Sequence, residues 1–241
     1  MTDLRFDERR VPTRVEPQAA IAEIVVGDGG REAVTRTAAD DMRVALHESN
    51  HAVVGRLLGQ PLGGVNINAS DGFSGLCWGP TFQSKFTGGP SPSSLCAQIG
   101  RMMPAPGESR NSAADMFLHV HNRCTELVAG SVGGALFLPG LPWDAVDDRA
   151  QERALASLIC SSPEAAKAFI DFCAIEAAAL LRPREHIVRP LTKTLLIRRT
   201  MTGAEVDTII AAAVSAKSAE DERQRRADWE TRRASAARAS A

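Results

Sequence analysis

The chain has 241 residues, room for one large domain or two small ones. Its 44% hydrophobic and 24% charged residues suit a globular protein with a real core, and a formal net charge of −1 removes the electrostatic case for nucleic acid or an anionic membrane as main partner. Five scattered cysteines (Cys77, Cys96, Cys124, Cys160, Cys173) contain no CxxC pair, which reads as reduced thiols of a cytoplasmic protein and excludes a cysteine zinc site.

Residues 1–36 are charged apart from "AIAEIVV" and "GDGG", and are expected to form a flexible N-terminal arm. The arm lacks the apolar stretch of a secretory signal. The first helix begins near Thr37, whose hydroxyl is placed as N-cap with Asp40 and Asp41 in the first turn. Gly59 and Pro61 supply its stop. "LGGVNINASDGFSGLCWGP" over 62–80 predicts strand, turn, strand, with Val65 and Ile67 alternating with polar neighbours. Residues 81–110 are rich in Gly, Ser and Pro and read as a loop that could close as a lid.

From Ser112 the pattern is helical almost to the end. One helix stops at Pro139–Gly140, a second runs from about Asp147, and a third breaks at Pro183. "EHIVRPLTKTLLIRR" and "GAEVDTIIAAAVSA" complete the set. Residues 216–241 form a charged tail, polar on every face, that is either a solvated helix or disorder. No run approaches the roughly 20 apolar residues of a membrane span. The nearest, "AFIDFCAIEAAALL", is interrupted by Asp171 and Glu176.

The chemistry sits in "ALHESNHAVVGRLLG", residues 45–59. On a helix, His47 and His51 lie about 40° apart and Glu48 about 60° beyond, within a sector shared by Val44, Val54, Gly55 and Leu58. Arg43, Ser49, Asn50 and Arg56 take the other side. Two imidazoles and a carboxylate facing an apolar interior are costly unless something pairs with them. A divalent metal removes that cost, because zinc accepts imidazole nitrogens at helical i, i+4 spacing. Glu48 then stands beside the open coordination position as the general base for a bound water. A pair of core histidines beside a paired glutamate is the bland reading of the same letters.

A third ligand is required. His119 and His121 point about 160° apart on a helix and cannot act together, and His186 has no companion motif. "PWDAVDDRAQ" is more promising, since Asp144, Asp147 and Asp148 lie where a loop enters a helix, although N-capping would explain one of them.

"VALHESNHAVVGRLLGQPLGGVNI", followed by "GFSGLCWGP", resembles the peptidase domain of the FtsH-type zinc metalloproteases. "ELVAGSVGGALFLPG" is similar to that family's small-residue helix, and "DDRAQERALASL" to the helix opened by its third zinc ligand. "LTKTLLIRRTMTGAEVDTIIAA" is similar to its closing helices. The resemblance implies a mainly α, metallopeptidase-like domain over 37–215, with a small β element after the HExxH helix. It implies zinc held by His47, His51 and Asp148, with Asp147 as the alternative ligand, and Glu48 as catalytic base. The chain departs from the family in having "GGALF" where acidic residues usually stand, and in having no GxxxxGK[ST] loop and no membrane span.

The expectation is a zinc-dependent metalloendopeptidase acting on peptide or unfolded-protein substrates without ATP. Self-association and a separate ATPase partner stay open. The strand at Val65–Ile67 is expected to offer an edge to extended peptide. The alternative is a catalytically silent zinc-binding module that meets a partner through its charged tail.

Overall fold

A computed structural model of the chain describes residues 36–68, 75–78, 113–140 and 146–239. The arm (except Arg36), the candidate lid over 81–110, Cys96 and Asp144 lie outside the described residues. The rest is mainly helical, with one small antiparallel sheet.

Helix α1 spans Ala38–Leu57, strands β1 and β2 span Gly64–Asn66 and Leu76–Trp78, and helix α2 spans Ala113–Phe137. Helices α3 (Val146–Ile159) and α4 (Pro163–Leu181) follow, then a short 3-10 turn over Arg182–Arg184 and helix α5 (Glu185–Arg198). Strand β3 (Thr200–Thr202) leads into helix α6 (Gly203–Ala239). No described helix is long and apolar enough to cross a membrane.

Local signals set the ends of α1. The Thr37 hydroxyl accepts the Asp40 amide at 3.1 Å, and the Asp40 carboxylate accepts the Thr37 amide at 3.1 Å, a reciprocal capping box. At the other end Gly59 adopts φ 72°, a left-handed conformation that glycine takes without a Cβ penalty.

The expected two-sided character of α1 is corrected. Ser49 and Asn50, assigned to the polar side, are fully buried. The reason is that α1 is central: α2 packs along one side, α5 along another, and the sheet covers more of it. Ser49 and the amide nitrogen of Asn50 bond back into their own helix, while Asn50 Oδ1 is buried without a hydrogen bond. Ser49 Oγ donates to the Ala45 carbonyl at 2.7 Å, and Asn50 Nδ2 donates to the Leu46 carbonyl at 2.8 Å.

The sheet order is β2–β1–β3, antiparallel throughout, with Val65 opposite Cys77 on one side and Met201 on the other. Two expectations change here. All three residues of β1 are buried, so its polar neighbours do not face water. And β1 is the middle strand, so it offers no edge to a peptide, because β3 occupies the side expected to be open. The edge toward α1 belongs to β2.

Beneath the sheet and around α1 the core is built from Ile67, Val120, Leu155, Leu181, Val188, Leu191, Leu195 and Met201, all within the buried hydrophobic cluster. Arg199 closes α5 with φ 64°, a left-handed conformation unusual for a side chain other than glycine. Its guanidinium bonds to Asp41 at the start of α1 and to Asn68 Oδ1 at 3.1 Å, and its carbonyl accepts the Ile67 amide at 2.9 Å. This one residue therefore ties the end of α5 to both α1 and the β1 strand. Helix α6 packs through Val206, Ile209, Ile210 and Ala213, then continues unbroken through the charged tail, whose residues beyond Lys217 are almost all exposed.

Candidate metal centre

Helix α1 presents His47 and His51 one turn apart, their rings edge-to-face with centroids 4.5 Å apart. Asp148 enters from the first turn of α3, where the positive end of the helix dipole favours a carboxylate. Three donor atoms converge. His47 Nε2 lies 2.9 Å from Asp148 Oδ2, His51 Nε2 lies 3.3 Å from the same oxygen, and the two Nε2 atoms are 2.9 Å apart. Ligands about 2.0–2.1 Å from a tetrahedral zinc stand about 3.3 Å from each other. The three atoms need to open by only a few tenths of an ångström to fit.

A second observation favours a shared electrophile. His51 Nδ1 sits 2.7 Å from the Glu126 carbonyl on α2. A carbonyl only accepts, so Nδ1 carries a hydrogen, and Nε2 is the ring atom left for a cation, which would displace any proton there. Gly130 on α2 completes the enclosure. A Cβ there would lie 2.4 Å from His47 Cε1 and 2.5 Å from His51 Nε2, so the rings occupy the space of the missing side chain. One turn on, Gly133 receives Asn50 in the same way.

Glu48 is 6% exposed and lies against Gly75, where a Cβ would be 2.7 Å from its Oε1, just before β2. Burial is the main influence on its carboxyl and Asp148 adds to it. Against the opposing charge of His51, they raise it to about 8. Burial and the neighbouring His51 hold His47 below the ordinary imidazole value. Burial also pushes His51 down, but Asp148, Glu48 and the Glu126 carbonyl outweigh it and raise the ring to about 9. Burial pushes Asp148 up, yet the two histidines hold it far below the usual carboxylate range. Without a cation the centre keeps one proton on the His51 side and an ionised Asp148.

Of the other candidates, Asp147 is exposed and lies outside the converging group. His119 is exposed, while His121 is half-buried beside Phe169 and Phe172. His186 is half-buried on α5. None of the three joins the group.

Three residues at or near the site escaped the sequence reading: Glu126, Gly130 and Glu152. Glu126 acts through its backbone and Gly130 through having no side chain, so neither carries a side-chain signal. Glu152 did carry one, a carboxylate one helical turn after Asp148. It is 6% exposed, and burial, with the charge of Asp148, lifts its carboxyl to about 7 from an ordinary 4.5.

That shift sets a pH dependence for the metal-free protein. The unfolded chain releases this proton near 4.5 and the folded chain near 7. Stability therefore falls as pH rises across that window, and the loss persists above it. Glu152→Gln should stabilise the zinc-free protein by roughly 1–3 kcal/mol at pH 8 and by little at pH 4.5. Urea unfolding at the two pH values checks this, and an equal effect at both would show that Glu152 titrates normally.

Compared with known proteins, the chain matches no family model and no curated sequence.

Proposed function

We propose that this chain is a zinc-dependent endopeptidase of the HExxH type, hydrolysing peptide bonds in peptide or unfolded-protein substrates. The observation that carries the reading is the convergence of His47 Nε2, His51 Nε2 and Asp148 Oδ2 beside the buried carboxyl of Glu48.

Zinc bound at those three atoms supplies Lewis acidity to a carbonyl and to water. The chain's own residues do the rest. Glu48 takes the proton of the attacking water and hands it to the leaving amine. Its carboxyl ionises more readily once positive charge occupies the three donors. The Glu126 carbonyl keeps His51 in the required tautomer. Strand β2 pairs with β1 on one side, and among the described residues no strand covers its other side, so an extended substrate can align there next to Glu48. The four described cysteines are free, which fits work in the cytoplasm.

The alternative, a catalytically silent zinc module that binds a partner, draws on the exposed outer half of α6. Self-association or an ATPase acting in trans is compatible with either reading.

Zinc stoichiometry of wild type and Asp148→Ala, purified without chelators and assayed on casein, tests the proposal. Wild type should carry one zinc and cleave, while Asp148→Ala should lose most of the metal and all cleavage. Wild-type protein free of zinc, or Asp148→Ala holding it equally well, would overturn the metal centre. Zinc without cleavage would favour the silent module.

A further inference from the structure

Helix α4 turns one side to the core and leaves an apolar row on the other. Cys173, Ala177 and Leu181 are buried, with α2 packed along them. Ala165, Ala168, Phe172, Ile175 and Ala179 are all exposed, Ile175 by 68% and Phe172 by 46%. Their spacing alternates between three and four residues, which aligns them along the helix as in a helix–helix seam. Phe117 of α2, itself 51% exposed, widens the row, since its ring lies 5.8 Å from that of Phe169. The solvent side of a helix is ordinarily polar, and a contiguous apolar strip there marks an interaction surface.

The charges beside the row select its occupant. Glu164 at the start of α4 and Arg182 at its end are exposed, and neither forms an ion pair with a described residue. They stand about five turns, or 27 Å, apart on the same flank of the row. A second α4 laid antiparallel on the first brings Glu164 of each copy to Arg182 of the other. A parallel copy would set like charges together at both ends. Asp171, on the same flank, is already neutralised by Lys167 at 2.5 Å.

We propose that this face is a homodimer interface, with two copies joined through α4, antiparallel about a two-fold axis near Phe172, and Glu164 of each copy paired with Arg182 of the other. Two-fold association requires a surface that complements itself, and this row with its opposite ends does so. One helix face is narrow against the roughly 800 Å² per partner of a standard interface, so the expected dissociation constant is about 1–100 µM. The inference does not rest on the zinc reading, since it uses no atom of the metal centre.

Sedimentation velocity of the full chain, from about 2 to 400 µM, tests it. Wild type should pass from monomer to dimer across that range. Ile175→Glu should stay monomeric with an unchanged circular-dichroism spectrum, because the side chain it replaces is exposed. Glu164→Arg and Arg182→Glu should each raise the dissociation constant about 3–10-fold, since each alters two contacts per dimer. The double variant should return to within about twofold of wild type. Both single changes also oppose the dipole of α4, and the double change adds those effects instead of cancelling them. Restored association therefore reports contact between copies. Wild type that is monomeric at about 400 µM, a dimer unmoved by Ile175→Glu, or a double variant no better than the singles overturns the proposal.

Discussion

Glu48→Gln should yield a folded protein that keeps its zinc and cleaves casein about 10²–10⁴ times more slowly. The fold should tolerate the change for a physical reason. Burial already holds this carboxyl up to about 8 in the metal-free protein, so a neutral amide of the same shape replaces a group that is neutral for much of the time. Glu48 is also absent from the three converging donors, so the metal should stay. What glutamine cannot do is accept a proton. Zinc content by mass spectrometry and cleavage of labelled casein report the two halves separately. Equal cleavage by wild type and Glu48→Gln would refute the role of this residue as base.

Gly130→Ala should weaken zinc binding by about 10–100-fold, as loss of a supporting partner commonly does, and should destabilise the protein by roughly 1–3 kcal/mol. The sign is the informative part. In an ordinary helix, glycine to alanine stabilises by nearly 1 kcal/mol. Here the new methyl would fall 2.4 Å from His47 and 2.5 Å from His51. The rings cannot simply swing clear, because His47 is held by Asp148 and His51 by the Glu126 carbonyl. Either the two helices part or the donors turn out of register. Chelator competition and urea unfolding measure the two consequences. A variant that is stabilised and binds zinc as wild type does would mean that the helices have slack at this crossing.

The parts legible in the sequence were those written locally. Thr37 and Asp40 announce the start of α1 within four residues, and Gly59 its end. His47 and His51 share a face through helical spacing alone. Asp148 needed more, since it is 101 residues from His47; the loop-to-helix pattern left Asp144, Asp147 and Asp148 open, and only the family resemblance favoured Asp148. Asp147 is one step round that helix, and the structure leaves it exposed. Strand β3 was not legible. "TMT" lies between two strong helices, and its partner Asn66 is 134 residues from Thr200. Missing it made β1 look like an edge. The burial of Ser49 and Asn50 was missed for a related reason: helical periodicity assumes a wet side, and α1 has little of one.

The lateness of β3 has a consequence for the nascent chain. All four residues of the proposed centre have been made once the ribosome passes Asp148. Yet β1 keeps an unpaired edge, and α1 lacks both α5 and the Arg199 clasp, until Thr202 has emerged. At about 5–20 residues per second, the interval between β2 and β3 lasts on the order of ten seconds. During that time the growing polypeptide carries a strand with an unpaired edge. The ordering also leaves the proposed centre without these supports until Thr202 has been made.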